Sequence, residues 1–93
     1  MGKKRVINKE KFLILFEKRC KDYKNGIRVL YRKERRYKIY YVHKPIQINT
    51  DNIYINTDNS RLNININNIE EYQASLDALY LVIKNGNEII INI

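Results

Sequence analysis

A chain of 93 residues fits one domain with a shallow core, because folded chains of this size bury only about two-thirds of the surface that their unfolded state exposes. Its hydrophobic content of 44% is spaced through the whole length, which excludes general disorder, and no run of about 18 apolar residues exists, which excludes a membrane-spanning helix. The formal charge of +8 is unevenly placed: residues 1–45 carry 16 Lys and Arg against 4 Asp and Glu, and residues 46–93 carry 2 against 6.

Such one-sided charge draws an anionic partner, either nucleic acid or an acidic protein face. The start Met-Gly-Lys-Lys-Arg lacks the apolar core of a secretion signal. Val6 stands where a myristoylation motif at Gly2 needs Ser or Thr, so the expected location is cytoplasmic, with no membrane partner. Cys20 is the single cysteine and permits no internal disulfide or cysteine-based metal cage. Asn (13), Ile (16), Lys (11) and Tyr (8), all encoded by AT-rich codons, dominate the composition. An AT-rich genome accounts for this, and so does origin in a phage or mobile element.

In chain order, residues 1–7 read as a basic arm and residues 8–93 as one domain. Residues 9–24 have the period of an amphipathic helix, with Asn8 as cap, Glu10 in the first turn and Asn25-Gly26 as a left-handed stop. Leu13, Phe16, Cys20 and Tyr23 form its apolar stripe, flanked by Phe12 and Leu15, and the pairs Glu17/Lys21 and Lys18/Asp22 stand four apart on the outside. After Gly26 the period becomes two. Ile27, Val29 and Tyr31, then Tyr37, Ile39 and Tyr41, alternate with polar or smaller positions on either side of the basic loop Lys33-Glu34-Arg35-Arg36, which is the pattern of a hairpin. Pro45 ends the second strand near His43.

Residues 46–59 repeat a seven-residue unit, Ile46-Gln-Ile-Asn-Thr-Asp-Asn and Ile53-Tyr-Ile-Asn-Thr-Asp-Asn, each a short strand with an Asx-type turn in a meander. Residues 68–93 fit two patterns. One is a helix from Asn68 to Gly86. The other, preferred because Leu79-Tyr80-Leu81-Val82-Ile83 suits a buried strand and Asn85-Gly86 a tight turn, is a hairpin that sets Lys84 opposite Glu88, with one helical turn surviving at residues 69–75.

The expected fold is therefore α+β: an N-terminal helix packed on an antiparallel meander able to close into a small barrel, the alternative being two helices on one face of a shorter antiparallel sheet. The binding surface is expected on the basic hairpin, with Arg28, Arg32, Lys38 and Tyr40 on one face and Lys33, Arg35 and Arg36 at the loop, extended by Lys3, Lys4 and Arg5 of the arm. Cations meet phosphates, and a tyrosine among them offers a stacking surface for an unpaired base. The competing view makes the charged face plain solvated surface and places Tyr31, Tyr37 and Tyr41 in the core.

No nucleic-acid-binding signature, zinc-finger spacing or nucleotide-binding glycine loop is present, so neither cofactor nor metal is expected. Cys20 on a buried stripe is a core cysteine before it is a nucleophile paired with His43, and the Asp51 and Asp58 repeats are turns before they are calcium ligands. The function expected from these residues is that of a small non-enzymatic binding protein for nucleic acid or a nucleoprotein. The alternative is an anti-CRISPR-like inhibitor that occupies the acidic or nucleic-acid-binding groove of a host defence nuclease.

Overall fold

The computed structural model describes residues 3–21 and 23–93. Gly2 and Asp22 lie outside them, and with Asp22 the expected Lys18/Asp22 pair. The helix α1 runs over Lys9–Arg19, and the strands are β1 (Arg5–Ile7), β2 (Ile27–Lys33), β3 (Arg36–Val42), β4 (Gln47–Ile48), β5 (Asn52–Asn56), β6 (Arg61–Asn65), β7 (Ile69–Ala74), β8 (Leu79–Ile83) and β9 (Asn87–Ile91). They form a six-stranded sheet in the order β1-β7-β8-β9-β2-β3 and a three-stranded sheet in the order β4-β5-β6. Every pairing is antiparallel.

Helix α1 starts as the sequence implies. Asn8 Oδ1 accepts the Lys11 N–H at 2.7 Å, satisfying one of the donors that a first turn leaves open. It ends five residues short of the expected stop. Cys20 leaves helical geometry at φ −92° and ψ 76°, and Tyr23 turns away to accept the Ile46 N–H. Gly26, at φ +86°, ends the following turn instead, and a Cβ there would sit 2.9 Å from His43 Nε2, so only glycine fits. The buried stripe is also rotated: Phe12 and Phe16 are buried, while Leu13, Cys20 and Tyr23 are only partly so. Phe12 stacks on Phe16 and meets Tyr72 of β7 at a centroid distance of 5.2 Å. Arg19 fastens the other end, donating to the Ser75 carbonyl at 2.7 Å. Glu17 and Lys21 form no ion pair among the described residues, since the helix ends before Lys21.

One face of the six-stranded sheet carries Val29, Val42, Leu79, Leu81, Ile89 and Ile91, all buried. The covering layer is α1 together with Ile46, just before β4, and Ile53, Ile55 and Ile64 of the three-stranded sheet, and their buried side chains belong to one apolar cluster. No closed barrel forms. The strands of residues 47–65 pair only with one another, set apart by Pro45 and the Asx turns, so β1 and β3 remain sheet edges. The two repeats do form consecutive strands of a meander, although they turn differently: Asn49 Oδ1 accepts from Asp51 and Asn52 in the first, whereas Thr57 Oγ1 accepts from Ser60 in the second.

The C-terminal hairpin replaces the second helix. Asn85 (φ 74°) and Gly86 (φ 78°) supply two successive left-handed residues for its turn. Leu79 and Leu81 pair with Ile91 and Ile89, but Lys84 lies in the turn and Glu88 pairs with Val82, which corrects the expected Lys84/Glu88 contact. Residues 69–74 are extended, and the helical turn sits earlier, at Ile66–Asn68, where Asn65 caps it. Within the expected arm, Arg5–Ile7 is an edge strand paired with β7.

The rotated stripe makes a test. Phe12→Ala should lower stability by about 3–5 kcal/mol, while Ile14→Ala on the exposed side should stay within about 0.5 kcal/mol, read from urea midpoints. Equal effects would contradict the packing of α1.

Candidate nucleic-acid interface

The β2–β3 hairpin is closed by a two-residue turn, Glu34-Arg35, so Lys33 pairs with Arg36 and every even position of β2 faces an odd position of β3. That parity divides the expected site. Arg28 and Arg32 stand on the outer face opposite Tyr41 and Tyr37, whereas Lys38 and Tyr40 pair with Tyr31 and Val29 on the inner face. The single face of Arg28, Arg32, Lys38 and Tyr40 drawn from the sequence is thus two faces. Tyr37 and Tyr41 are exposed rather than core, and Tyr31 is half-buried.

On the inner face the hairpin overhangs the three-stranded sheet. Between them lies an open groove of about 960 Å³, walled by Lys33, Arg36, Lys38, Tyr31 and Tyr40 on one side and by Arg61, Asn63 and Asn65 of β6 on the other. Leu62, Ile64 and Ile83 supply its apolar part. Four cations line this groove against one carboxylate, Glu34, which sits in the turn at φ 58°. Among the described residues none of the four makes an ion pair, so their charge is not cancelled locally. Lys38 Nζ lies 5.3 Å from the Tyr40 ring centroid, and the Arg61 guanidinium lies 4.4 Å from that of Tyr54, contacts that hold long side chains over aromatic faces at about 0.5–1 kcal/mol each when exposed.

Of the expected residues, Lys33, Arg36, Lys38 and Tyr40 converge on the groove. Arg35 is at the exposed turn, and Arg28 and Arg32 face away. Lys3, Lys4 and Arg5 lie by β1, five strand spacings from β3, or about 24 Å, so they extend no common footprint. Lys4 instead reaches Glu88 at 3.6 Å and lies 4.5 Å from the Tyr80 ring centroid. The sequence reading missed Arg61 and its neighbouring asparagines. Arg61 is one of only two cations in residues 46–93, and that rarity was the available signal. Comparison with protein-family models, with curated proteins and with solved structures finds no match for the chain.

The other chemistry-bearing residues are held apart. Cys20 Sγ donates to Tyr23 Oη at 2.6 Å, and His43 Nδ1 meets Asp58 Oδ1 at 3.0 Å, so thiol and imidazole are not paired with each other. Burial pushes the Cys20 thiol up, away from the thiolate that a nucleophile requires. Asp51 lies in the Asn49 turn, and no three His, Cys, Asp or Glu converge among the described residues. Burial, with the Cys20 hydrogen bond, pushes the Tyr23 phenol up to about 12. The folded value exceeds the unfolded one, so this contribution to stability is complete below about pH 10 and is lost as pH rises from about 10 to about 12. Tyr23→Phe should therefore flatten the alkaline fall of the urea midpoint and remove the latest-titrating phenol from the absorbance titration. An unchanged titration curve would contradict this assignment.

Proposed function

We propose that the chain is a small non-catalytic protein that binds single-stranded nucleic acid in the groove between the β2–β3 hairpin and β6. The observation that carries this reading is the convergence of Lys33, Arg36, Lys38 and Arg61 with Tyr31 and Tyr40 around one open, partly apolar groove. Cations spaced along a groove follow a phosphate backbone, and tyrosine faces take unpaired bases, each stack contributing about 1–3 kcal/mol without regard to sequence. A duplex hides its base faces, so the aromatic wall favours an unpaired strand. The asparagine amides add donors and acceptors for base edges, although Asn65 Oδ1 already accepts the Asn67 N–H.

The test compares the two faces of the hairpin. Replacing Lys33, Arg36 and Lys38 together with Gln should abolish binding to a short labelled single strand, measured by fluorescence anisotropy. Single replacements should lower the slope of log affinity against log salt by about 0.7 for each phosphate that the protein no longer neutralises. Tyr40→Ala should weaken binding by about 1–3 kcal/mol with little change in that slope. Arg28→Gln with Arg32→Gln, on the opposite face, should leave both affinity and slope near wild type. A folded triple variant that binds at wild-type strength would overturn the reading.

A further inference from the structure

The outer face of the six-stranded sheet is more apolar than a solvated one, with Gln73, Glu71, Glu88, Arg28 and Arg32 standing among Val6, Tyr80, Val82, Ile90, Leu30 and Ile39. An antiparallel sheet with one wet face alternates apolar and polar along each strand. Here β8 reads Leu-Tyr-Leu-Val-Ile and β9 ends Ile-Ile-Ile, apolar on both sides. Following the register across the sheet, one outer row is Val6-Gln73-Tyr80-Ile90-Leu30-Ile39, and the next is Glu71-Val82-Glu88-Arg32-Tyr37. Val6, Tyr37, Ile39 and Tyr41 are each more than half exposed on this face. Helix and short sheet both sit on the other side.

We infer that this face binds a second copy of the chain, forming a face-to-face dimer of six-stranded sheets. The order of charges along the rows names the occupant. A two-fold axis running along the strands between β8 and β9 lays β7 over β2 and β1 over β3 of the second copy. Glu71, which also accepts from Gln73, then meets Arg32 and Val82 meets Glu88 within the same row, while in the other row Val6 meets Ile39 and Tyr80, with Lys4 over its ring, meets Ile90. Each contact occurs twice, as an isologous interface requires. Glu88 is already neutralised by Lys4 and adds no unpaired charge at the centre. Six strands at about 4.8 Å spacing with about five residues each present a plane of roughly 500 Å², which side-chain relief raises toward the roughly 800 Å² per partner of a standard interface. Sheets packed in this way align within about 30°.

The groove opens on the opposite side of the sheet and shares with this face only Tyr37, at the hairpin tip, so the dimer and nucleic-acid binding use largely separate surfaces, and the two respond to salt differently. Two chains of +8 repel, and screening eases that repulsion while it weakens the Glu71–Arg32 pairs, so the dimer changes little with salt, whereas phosphate binding weakens steeply. Sedimentation equilibrium of the full chain from about 1 to about 200 µM should show the mass rising from 11.3 kDa to twice that value. Ile39→Glu, a change at an exposed position, should keep the wild-type circular dichroism and remain monomeric throughout. Arg32→Glu and Glu71→Arg alone should each weaken association about tenfold, and together should restore it. A wild-type chain that stays monomeric at the highest concentration overturns the inference. So does an Ile39→Glu dimer of wild-type strength, or a double swap that fails to recover.

Discussion

The apolar inner face of the six-stranded sheet must be kept from water, and the chain has only an eleven-residue helix and a three-stranded sheet with which to cover it. Phe12 and Phe16 close the cover over β7, and Ile53, Ile55 and Ile64 join the same apolar cluster as Val29, Val42 and Ile89. Burying an isoleucine or phenylalanine side chain contributes about 1.5–3 kcal/mol, so these contacts decide where every other element sits. The cover is narrower than the sheet it covers. The tip of the β2–β3 hairpin therefore overhangs, and the space beneath it, bounded by the edge strand β6, is the groove. The candidate site follows from a shortage of covering surface and needs no dedicated loop.

Which side chains reach that space is settled by a single turn. With two residues between the strands, Lys33, Arg36 and Lys38 fall on the inner face and Arg28 and Arg32 on the outer. One more residue in the loop would exchange the faces of one whole strand, because the side-chain period of a strand is two. Glu34 takes a left-handed φ of 58° that glycine would adopt without cost, a local conflict of about 1–3 kcal/mol accepted where the register is fixed.

Local signals were legible in the sequence. The Asn8 cap, the change of period after Gly26, the meander at residues 46–65 and the Asn85-Gly86 turn all depend on neighbours within a few residues, and each appears in the fold. What the sequence hid depends on distant partners. Tyr23 continues the helical stripe but is drawn off by the Ile46 N–H, 23 positions away. Arg5–Ile7 looks like part of a charged tail until β7 offers its edge. Asn68 and Glu71 stand where they would cap a helix, and Ile69–Ala74 still becomes a strand, because Tyr72 and Ala74 gain more by pairing with Leu81 and Leu79 than a short helix returns. Loops of four residues (33–36) and of two (34–35) both set Arg32 opposite Tyr37, so the single basic face drawn from the sequence required an odd loop of three that the hairpin does not have.

The charge asymmetry of the two halves changes its meaning once the chain is folded. Lys4 crosses the outer face to Glu88, so one N-terminal cation is answered by the acidic half. His43 Nδ1 lies 3.0 Å from Asp58 Oδ1 just past the end of β3. At the hairpin tip Glu34 is the one carboxylate among the cations lining the groove, and among the described residues none of those cations is ion-paired. Lys33, Arg36 and Lys38 are joined there by Arg61, a cation from the acidic half itself, so four cations drawn from both halves of the sequence meet around one groove. A field focused in a cleft with apolar walls acts on a bound anion more strongly than the same charges dispersed over an open surface. In the proposed function that geometry, more than the net charge of +8, favours a strand of phosphates and unpaired bases over a merely acidic surface.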